Sequence, residues 1–296
     1  MKPVFLIIGA QKCATSWLHY HLRQHPALFL PEQKDHEFFS YVGNLNRRSF
    51  SQWCRRFTVA PQGRKIGDAN AAYFWTSTDS AWSNKPGSFN PSMPQSIRKF
   101  LGGKLKLIII LRDPVERAVS AYLHHIAHGA ISPSETIESI DAPLGIIDMG
   151  FYGEHLENWL ECFPAKQFLL INGLPYGQHA GRLCLNEITS FLDVETFPEA
   201  HPSEMPVFPG LPRLFQDDGV WVAAEHPLIA QHMPLTRNVP LESSETGNYV
   251  RLIDRRELDR LELMFREDQQ KLADLLANND IRELTPATIL ELNRAG

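Results

Sequence analysis

The feature that most constrains the fold is a short apolar run near the start of the chain. Val4–Ile8 is a continuous run of apolar, mostly branched residues, which is typical of a β-strand buried on both faces. Gly9 ends the run, and from Thr15 the apolar residues follow helical spacing until His25 and a proline close the helix. The sequence therefore predicts a unit of strand, tight loop and helix.

A second unit of the same kind begins about a hundred residues later. Leu107–Leu111 repeats the buried-strand pattern, and Asp113 followed by Pro114 is a strong start signal for a helix that runs to about His128. Further elements are predicted as helices over 152–163, 185–192 and 258–276 and as a third buried strand over 167–171. This alternation predicts an α/β fold with a central parallel sheet flanked by helices.

The remaining segments are poor in periodic pattern. Residues 77–94 are rich in Ser, Asn, Pro and Gly, which predicts a loop, and 197–247 carry prolines, glycines and histidines without a clear period. We expect one domain over 1–296, with a loop-rich segment over 197–250.

Charge and composition exclude several classes of protein. With 29 basic and 34 acidic residues the net charge is −5, which argues against a general nucleic-acid binder or a receptor for long polyanions. The four cysteines form no CxxC pair, so neither a disulfide framework nor a zinc site is indicated. The apolar run Val4–Ile8 is too short for a signal peptide or a membrane span, so we expect a cytoplasmic protein.

The loop after the first strand has the composition of a phosphate cradle. The unpaired amides at a helix N-terminus and the helix dipole favour a bound anion. Small side chains let phosphate oxygens reach the backbone. Lys12 adds a positive charge, and the hydroxyls of Thr15 and Ser16 add hydrogen-bond donors. The predicted phosphate-binding residues of this loop are Gly9, Ala10, Gln11, Lys12, Cys13, Ala14, Thr15 and Ser16. Such loops also occur empty in α/β folds. The lysine position does not fit the Walker A pattern and the GxGxxG fingerprint is absent, which disfavours an ATP-dependent kinase and a dinucleotide enzyme.

Residues 7–16, Ile-Ile-Gly-Ala-Gln-Lys-Cys-Ala-Thr-Ser, resemble the first loop of sulfotransferases that use 3′-phosphoadenosine 5′-phosphosulfate (PAPS). The likeness is greatest to the branch of the heparan sulfate sulfotransferase domains and their bacterial relatives. The resemblance implies a P-loop-like sulfotransferase fold, in which residues 197–250 form the acceptor or lid segment. It also implies that the loop holds the 5′-phosphosulfate of the donor and that Lys12 stabilises the bridging oxygen as sulfate departs.

A second motif of that family occurs at residues 111–122, Leu-Arg-Asp-Pro-Val-Glu-Arg-Ala-Val-Ser-Ala-Tyr. The resemblance implies that Arg112 and Ser120 bind the 3′-phosphate that distinguishes PAPS from ordinary adenosine nucleotides. An arginine fork and a hydroxyl suit a doubly charged phosphate. Taken singly, Arg112 could instead form an ion pair at a helix start and Ser120 could face solvent. Arg117 is expected to be structural or to face solvent.

Sulfuryl transfer to a hydroxyl needs a base, and residues 34–39 offer several. By resemblance, Asp35 aligns best with the family's catalytic glutamate and is the first candidate for the base. Glu37 is the second candidate and His36 is the third. If the segment is extended, the two acids share one face, so geometry alone does not separate them. A charged, solvated loop before a buried Phe pair is the alternative. Ala69 stands where some glycan-modifying relatives have a catalytic lysine, which argues against a heparan-like active site.

The sequence thus predicts an O-sulfotransferase that uses PAPS, releases adenosine 3′,5′-bisphosphate (PAP) and needs no metal. A P-loop kinase and a non-catalytic nucleotide-binding scaffold remain the alternatives. The acceptor is expected to be a hydroxylated small molecule, a lipid or a carrier-bound chain rather than a polyanionic glycan, with no nucleic acid partner. His124 and His128 are four residues apart, but no HExxH motif accompanies them, so packed or exposed histidines are expected.

Overall fold

A computed structural model describes residues 1–76, 89–140, 144–173, 178–198, 213–216, 218–223, 227, 241–244 and 247–289. The chain divides into two compact units. The first contains residues 1–112, 152–206 and 271–296, and the second contains 113–151 and 207–270. A single domain over 1–296 stays a prediction. Most of the predicted loop over 77–94, and much of the segment 197–250, lie outside the described residues.

The first unit is built on a six-stranded parallel sheet. Its strands are β1 (Phe5–Gly9), β2 (Leu28–Phe29), β3 (Lys65–Ala69), β4 (Lys106–Leu111), β5 (Phe168–Asn172) and β10 (Arg282–Leu284). They lie in the order β10-β5-β4-β1-β3-β2, and every neighbouring pair is parallel. The predicted parallel α/β sheet is confirmed. Since β3 and β4 lie on opposite sides of β1, the carboxyl end of β1 is a topological switch point, where open α/β sheets form their binding crevices.

Helices of the first unit are α1 (Thr15–Gln24), α2 (Arg47–Cys54), α3 (Met93–Leu101), α5 (Tyr152–Leu160) and α6 (Gln178–Phe191). The long helix α7 (Arg255–Asn278) begins in the second unit and ends in the first. Most predicted boundaries lie within a few residues of the observed ones, but α6 begins seven residues before the predicted 185. No helix among the described residues is both long and apolar enough to cross a membrane.

An aromatic cluster anchors the chain beside this sheet. Phe38 and Phe39 are buried, with ring centroids 4.7 Å apart, and the ring of Phe39 lies 5.3 Å from that of Trp53 on α2. Trp53 in turn contacts Phe57 at 4.8 Å. Burying such large rings supplies much of the stability of a core. The cluster therefore fixes the point at which the segment 34–37 leaves the protein interior.

The second unit contains helix α4 (Pro114–Ala127) and a four-stranded antiparallel sheet. Its strands are β6 (Arg213–Gln216), β7 (Gly219–Ala223), β8 (Leu241–Ser244) and β9 (Gly247–Asp254), in the order β6-β7-β9-β8. Apolar residues of α4, β7 and β9, including Val119, Val220 and Ile253, form one buried core. These strands were not predicted from the sequence, because three of them are only four or five residues long and show no period over so short a length.

Candidate functional site

The loop between β1 and α1 folds back at the carboxyl end of the sheet's central region. The N–H of Ala10 donates to the carbonyl of Ile110 on β4 at 2.8 Å, and Cys13 N–H donates to the Ala10 carbonyl at 3.2 Å. Lys12 and Ala14 both have left-handed backbone conformations, with φ of 64° and 62°. Non-glycine residues adopt this conformation rarely, and it turns the loop sharply into the first turn of α1.

Helix α1 begins at Thr15 with Ala14 as its N-cap, so no cap side chain occupies the first-turn amides. The amides of Thr15 and Ser16 have no acceptor within the helix, as at every helix start. Thr15 is buried and Ser16 is partly exposed. This end of the helix can therefore accept an anion, as the loop's composition predicts.

Gly9 is required at the end of β1 by a close approach. A Cβ added to Gly9 would lie 2.6 Å from Cβ of Phe74 and 3.1 Å from the carbonyl oxygen of Ala71. The N–H of Phe74 donates to the carbonyl of Ile8. The turn at residues 70–74 therefore packs directly against the donor loop's first residue.

Arg112 lies at the same loop. It follows β4 directly, is half-buried, and its Nη1 donates to the carbonyl oxygen of Lys12 at 3.4 Å. The fold thus brings together two segments that lie a hundred residues apart in the sequence, and it places a guanidinium fork next to the helix start. The assignment of Arg112 to the 3′-phosphate stays a prediction.

Ser120 and Arg117 belong to the second unit. Ser120 lies on α4 and is half-buried, and its role at the 3′-phosphate also stays a prediction. Arg117 is fully buried and donates to the carbonyls of Gly145 and Ile146, in agreement with the expected structural role. The predicted helix start is also present, because the carboxylate of Asp113 caps α4 by accepting from the N–H of Glu116 at 2.8 Å.

The segment carrying the predicted base is tied to the end of β3. Asp35 N–H donates to the Ala69 carbonyl at 2.9 Å, and its Oδ1 accepts from the N–H of Ala71 at 2.9 Å. Its Oδ2 lies 2.6 Å from Nζ of Lys34, and the side chain is 46% exposed. Asp35 is therefore held in place and open to solvent. It lies at the carboxyl end of the parallel strands, where the donor loop also begins.

The structure separates the two acids that the sequence could not. The backbone φ of Asp35 is 58°, so the segment turns here and is not extended, and the argument that both acids share one face does not apply. Glu37 is exposed, and its carbonyl accepts from Nδ2 of Asn44 at 2.9 Å. Nε2 of His36 is buried and has no hydrogen-bond partner among the described residues.

A buried polar cluster behind this segment was not predicted from the sequence. Asp68 on β3 is fully buried, its Oδ1 lies 3.6 Å from Nη2 of Arg56, and its Oδ2 lies 3.3 Å from the hydroxyl of Tyr73. Burial raises the pKa of Asp68 to about 7, against the lowering effects of the Arg56 charge, the Ala69 N–H and Tyr73. The same hydroxyl lies 3.0 Å from the carbonyl of His36.

Helix α5 supports both the donor loop and the turn after β3. The hydroxyl of Tyr152 lies 3.6 Å from Sγ of Cys13. Nε1 of Trp159 donates to the carbonyl of Phe74 at 3.3 Å, and Nδ1 of His155 lies 3.1 Å from Oγ1 of Thr76. One helix therefore holds both segments that meet at Gly9.

No group of three or more potential metal ligands occurs among the described residues. The rings of His124 and His128 lie 4.1 Å apart, and Nδ1 of His128 is 2.7 Å from the carbonyl of His124. His128 thus hydrogen-bonds to its own helix, an arrangement that suits a surface histidine.

Residues 2–201 match the model of the sulfotransferase domain family. Because this stretch is more than half of the chain, the chain belongs to that family, and the predicted sulfotransferase class is confirmed.

Two kinds of curated relative illustrate the match. The chain is 27% identical over 186 residues to the human bifunctional heparan sulfate N-deacetylase/N-sulfotransferase 2, and this alignment covers 58% of this chain and 20% of that protein. It is 37% identical over 181 residues to the human heparan sulfate glucosamine 3-O-sulfotransferase 3B1, and this alignment covers 58% of this chain and 41% of the relative. The match thus spans less than half of either relative.

Among solved structures, a sulfotransferase from Alicyclobacillus acidocaldarius has the same fold. It superimposes with a TM-score of 0.62 at 19% identity, covering 95% of this chain and 98% of the other. The predicted sulfotransferase fold is confirmed.

Proposed function

We propose that the protein transfers the sulfuryl group of PAPS to a hydroxyl acceptor. The observation that carries the proposal is the meeting of the loop Gly9–Ser16 with Arg112 at the carboxyl end of the sheet, next to the carboxylate of Asp35. Small side chains, first-turn amides and a guanidinium fit the phosphates of such a donor. Membership of the sulfotransferase family supports the assignment.

In the proposed reaction each residue has one task. The loop and Arg112 bind the two phosphate ends of PAPS, so that the acceptor hydroxyl can approach sulfur in line with the departing phosphate. Asp35 takes the hydroxyl proton as the oxygen–sulfur bond forms. Lys12 stabilises the negative charge on the bridging oxygen as its bond to sulfur breaks and PAP is released.

The exposure of its carboxylate and the hydrogen bond that orients it together support Asp35 over its two rivals. Its carboxylate is 46% exposed and is held by the N–H of Ala71, so an acceptor can reach an oriented base. The buried Nε2 of His36 is less accessible to a hydroxyl arriving from solvent. Glu37 is exposed but two residues further along the turn. We rank the bases Asp35, Glu37 and His36.

The acceptor is proposed to be a hydroxylated small molecule, a lipid or a carrier-bound chain. The net charge of −5 supports an acceptor with little negative charge. Ala69, where some glycan-modifying relatives have a lysine, is buried, and its carbonyl holds Asp35. A cytoplasmic location is part of the same proposal.

The deciding experiment is calorimetric binding of PAP, followed by transfer of labelled sulfate from PAPS to a panel of acceptors. The panel contains a phenol, a long-chain alcohol, a hydroxyacyl carrier thioester and a heparan oligosaccharide. We expect micromolar PAP binding without magnesium and transfer to one of the first three. Binding of ATP with magnesium in preference to PAP would identify a kinase instead.

Arg112 provides the specific control. Arg112→Ala is expected to weaken PAP binding at least about tenfold and AMP binding far less, because only PAP carries the 3′-phosphate. Arg47→Ala removes an exposed arginine of α2 and is expected to leave both affinities unchanged. Equal losses for PAP and AMP in Arg112→Ala would remove Arg112 from the 3′-phosphate site. The alternative of a non-catalytic scaffold would be favoured by one result. In that case the wild type and a variant with both Asp35 and Glu37 changed would bind PAP normally and transfer sulfate to no acceptor.

A further inference from the structure

Asp68 lies directly before the residues that hold the proposed base. Its neighbour Ala69 accepts the N–H of Asp35, and the N–H of Ala71 binds the Asp35 carboxylate. Any movement of the chain at Asp68 is therefore transmitted to both bonds that orient Asp35. Asp68 itself is fully buried and cannot touch a substrate.

The hydroxyl of Tyr73 connects Asp68 to the base segment from the other side. It lies within hydrogen-bond distance of two acceptors, Oδ2 of Asp68 at 3.3 Å and the carbonyl of His36 at 3.0 Å. A tyrosine hydroxyl has one hydrogen, so it donates to only one of them at a time. His36 directly follows Asp35 in the chain, and its carbonyl also accepts from Nδ2 of Asn70 at 3.0 Å.

The proton on Asp68 decides between these two acceptors. An ionised carboxylate attracts the hydrogen of Tyr73 by a charge-assisted bond, and the carbonyl of His36 loses that donor. A protonated Asp68 donates its own hydrogen to the tyrosine oxygen, which leaves the hydrogen of Tyr73 for His36. The charged and titratable groups around Asp68 are Arg56, Tyr73 and, at longer range, Asp35.

We infer that Asp68 and Tyr73 are positioning residues for Asp35: the hydrogen bond from Tyr73 to His36 fixes the base segment, and a proton on Asp68 keeps that bond in place. The inference rests on the proposed role of Asp35 as the base. Burial raises the pKa of Asp68 to about 7, so the proton is present below neutral pH and is lost as the pH rises through that value. Fixation of Asp35 is then stronger on the acid side of neutrality.

Amide hydrogen exchange of the free protein tests this without donor or acceptor. We expect the protection of the Asp35 amide, corrected for intrinsic exchange, to fall roughly tenfold between about pH 6 and about pH 8 in the wild type. Asp68→Asn carries an amide that donates to Tyr73 at every pH, so its protection should stay high across the range. Tyr73→Phe keeps the ring and should show low protection at both pH values.

Tyr122→Phe is the matched control, because it removes a buried tyrosine hydroxyl that donates to the carbonyl of Glu135 in the second unit. It should leave exchange at Asp35 as in the wild type. Two results would overturn the inference. One is that Asp68→Asn loses protection between the two pH values as the wild type does, and the other is that Tyr73→Phe keeps the protection of the wild type. If Tyr73→Phe does not fold, Asp68→Asn decides alone.

Turnover gives a second readout once an acceptor is known. Tyr73→Phe should lower kcat with the KM for PAPS unchanged. The wild-type kcat is expected to decline above about pH 7, and Asp68→Asn should lose this decline. If the wild type neither binds PAP nor transfers sulfate, the proposed function fails. The exchange measurement still reports separately on Asp68 and Tyr73.

Discussion

At the scale of single residues, two neighbouring acids have different surroundings. The carboxylate of Asp35 is held by a backbone N–H and by Lys34, whereas Glu37 is exposed. An oriented carboxylate is suited to take a proton in a defined geometry, and a freely rotating one is not. The backbone turn at Asp35 produces this difference.

Asp35→Asn is therefore expected to lower kcat at least about a hundredfold, because the amide keeps the acceptor oxygen for Ala71 but cannot take a proton. Glu37→Gln removes the same amount of charge two residues away and should change kcat less than about threefold. Both variants should bind PAP as the wild type does. Steady-state rates and calorimetry check this, and a larger loss in Glu37→Gln would transfer the role of base to Glu37.

At the scale of secondary-structure elements, the donor loop is shaped by what packs behind it. The end of β1, the start of α1 and the turn 70–74 meet at Gly9, and α5 supports the loop at Cys13 and the turn at Phe74. Such a site is rigid because several elements determine its backbone together.

Gly9→Ala should destabilise the protein by roughly 1–3 kcal/mol and weaken PAP binding, because its Cβ would lie 2.6 Å from Phe74. Gly103→Ala is the control, since an added Cβ there would meet nothing closer than 3.6 Å. Urea denaturation and PAP titration provide the two measurements. Equal stability of the two variants would contradict the close packing at Gly9.

Helix α1 also carries a buried histidine with a pH-dependent effect. Nε2 of His19 lies 2.9 Å from the carbonyl of Pro31, and burial lowers the pKa of His19 from 6.5 to about 4. The neutral ring is favoured in the folded state, so its stabilisation is present above about pH 6.5 and is lost as the pH falls towards about 4. The loss is on the order of 3 kcal/mol.

His19→Gln should therefore be less stable than the wild type at about pH 7.5, and the gap should close or reverse at about pH 4.5. Urea denaturation at both pH values measures the difference. A gap that stays constant would mean that His19 does not titrate in this window.

Local sequence signals were sufficient for some elements and not for others. β1, β4 and the start of α4 were predicted because continuous buried runs and an Asp-Pro start signal are local. β3 was missed because it carries Gly67 and Asp68 in its interior, residues that are rare in strands. Asp68 is tolerated there only because Arg56 and Tyr73 reach it in the folded chain, and such partners cannot be read from local pattern.

At the scale of the whole molecule, the net charge of −5 supports the proposal that the acceptor is not a sulfated polysaccharide. At about 0.15 M salt the Debye length is about 8 Å, so a large polyanion would have to bind through a local cluster of basic residues. We expect the protein to pass through a heparin column at this salt concentration. Retention that needs more than about 0.5 M salt for elution would contradict the proposed acceptor class and favour a polyanionic glycan.

The pairing of β5 with β10 has a consequence for synthesis on the ribosome. Leu284 pairs with Ile171, and both long segments of the second unit, 113–151 and 207–270, are translated before β10. Until β10 emerges, one edge of β5 has no partner strand from the parallel sheet. Contacts between such distant residues form slowly, and an open strand edge invites association with other chains. We therefore expect nascent chains that stall before residue 284 to bind chaperones that shield unpaired strands.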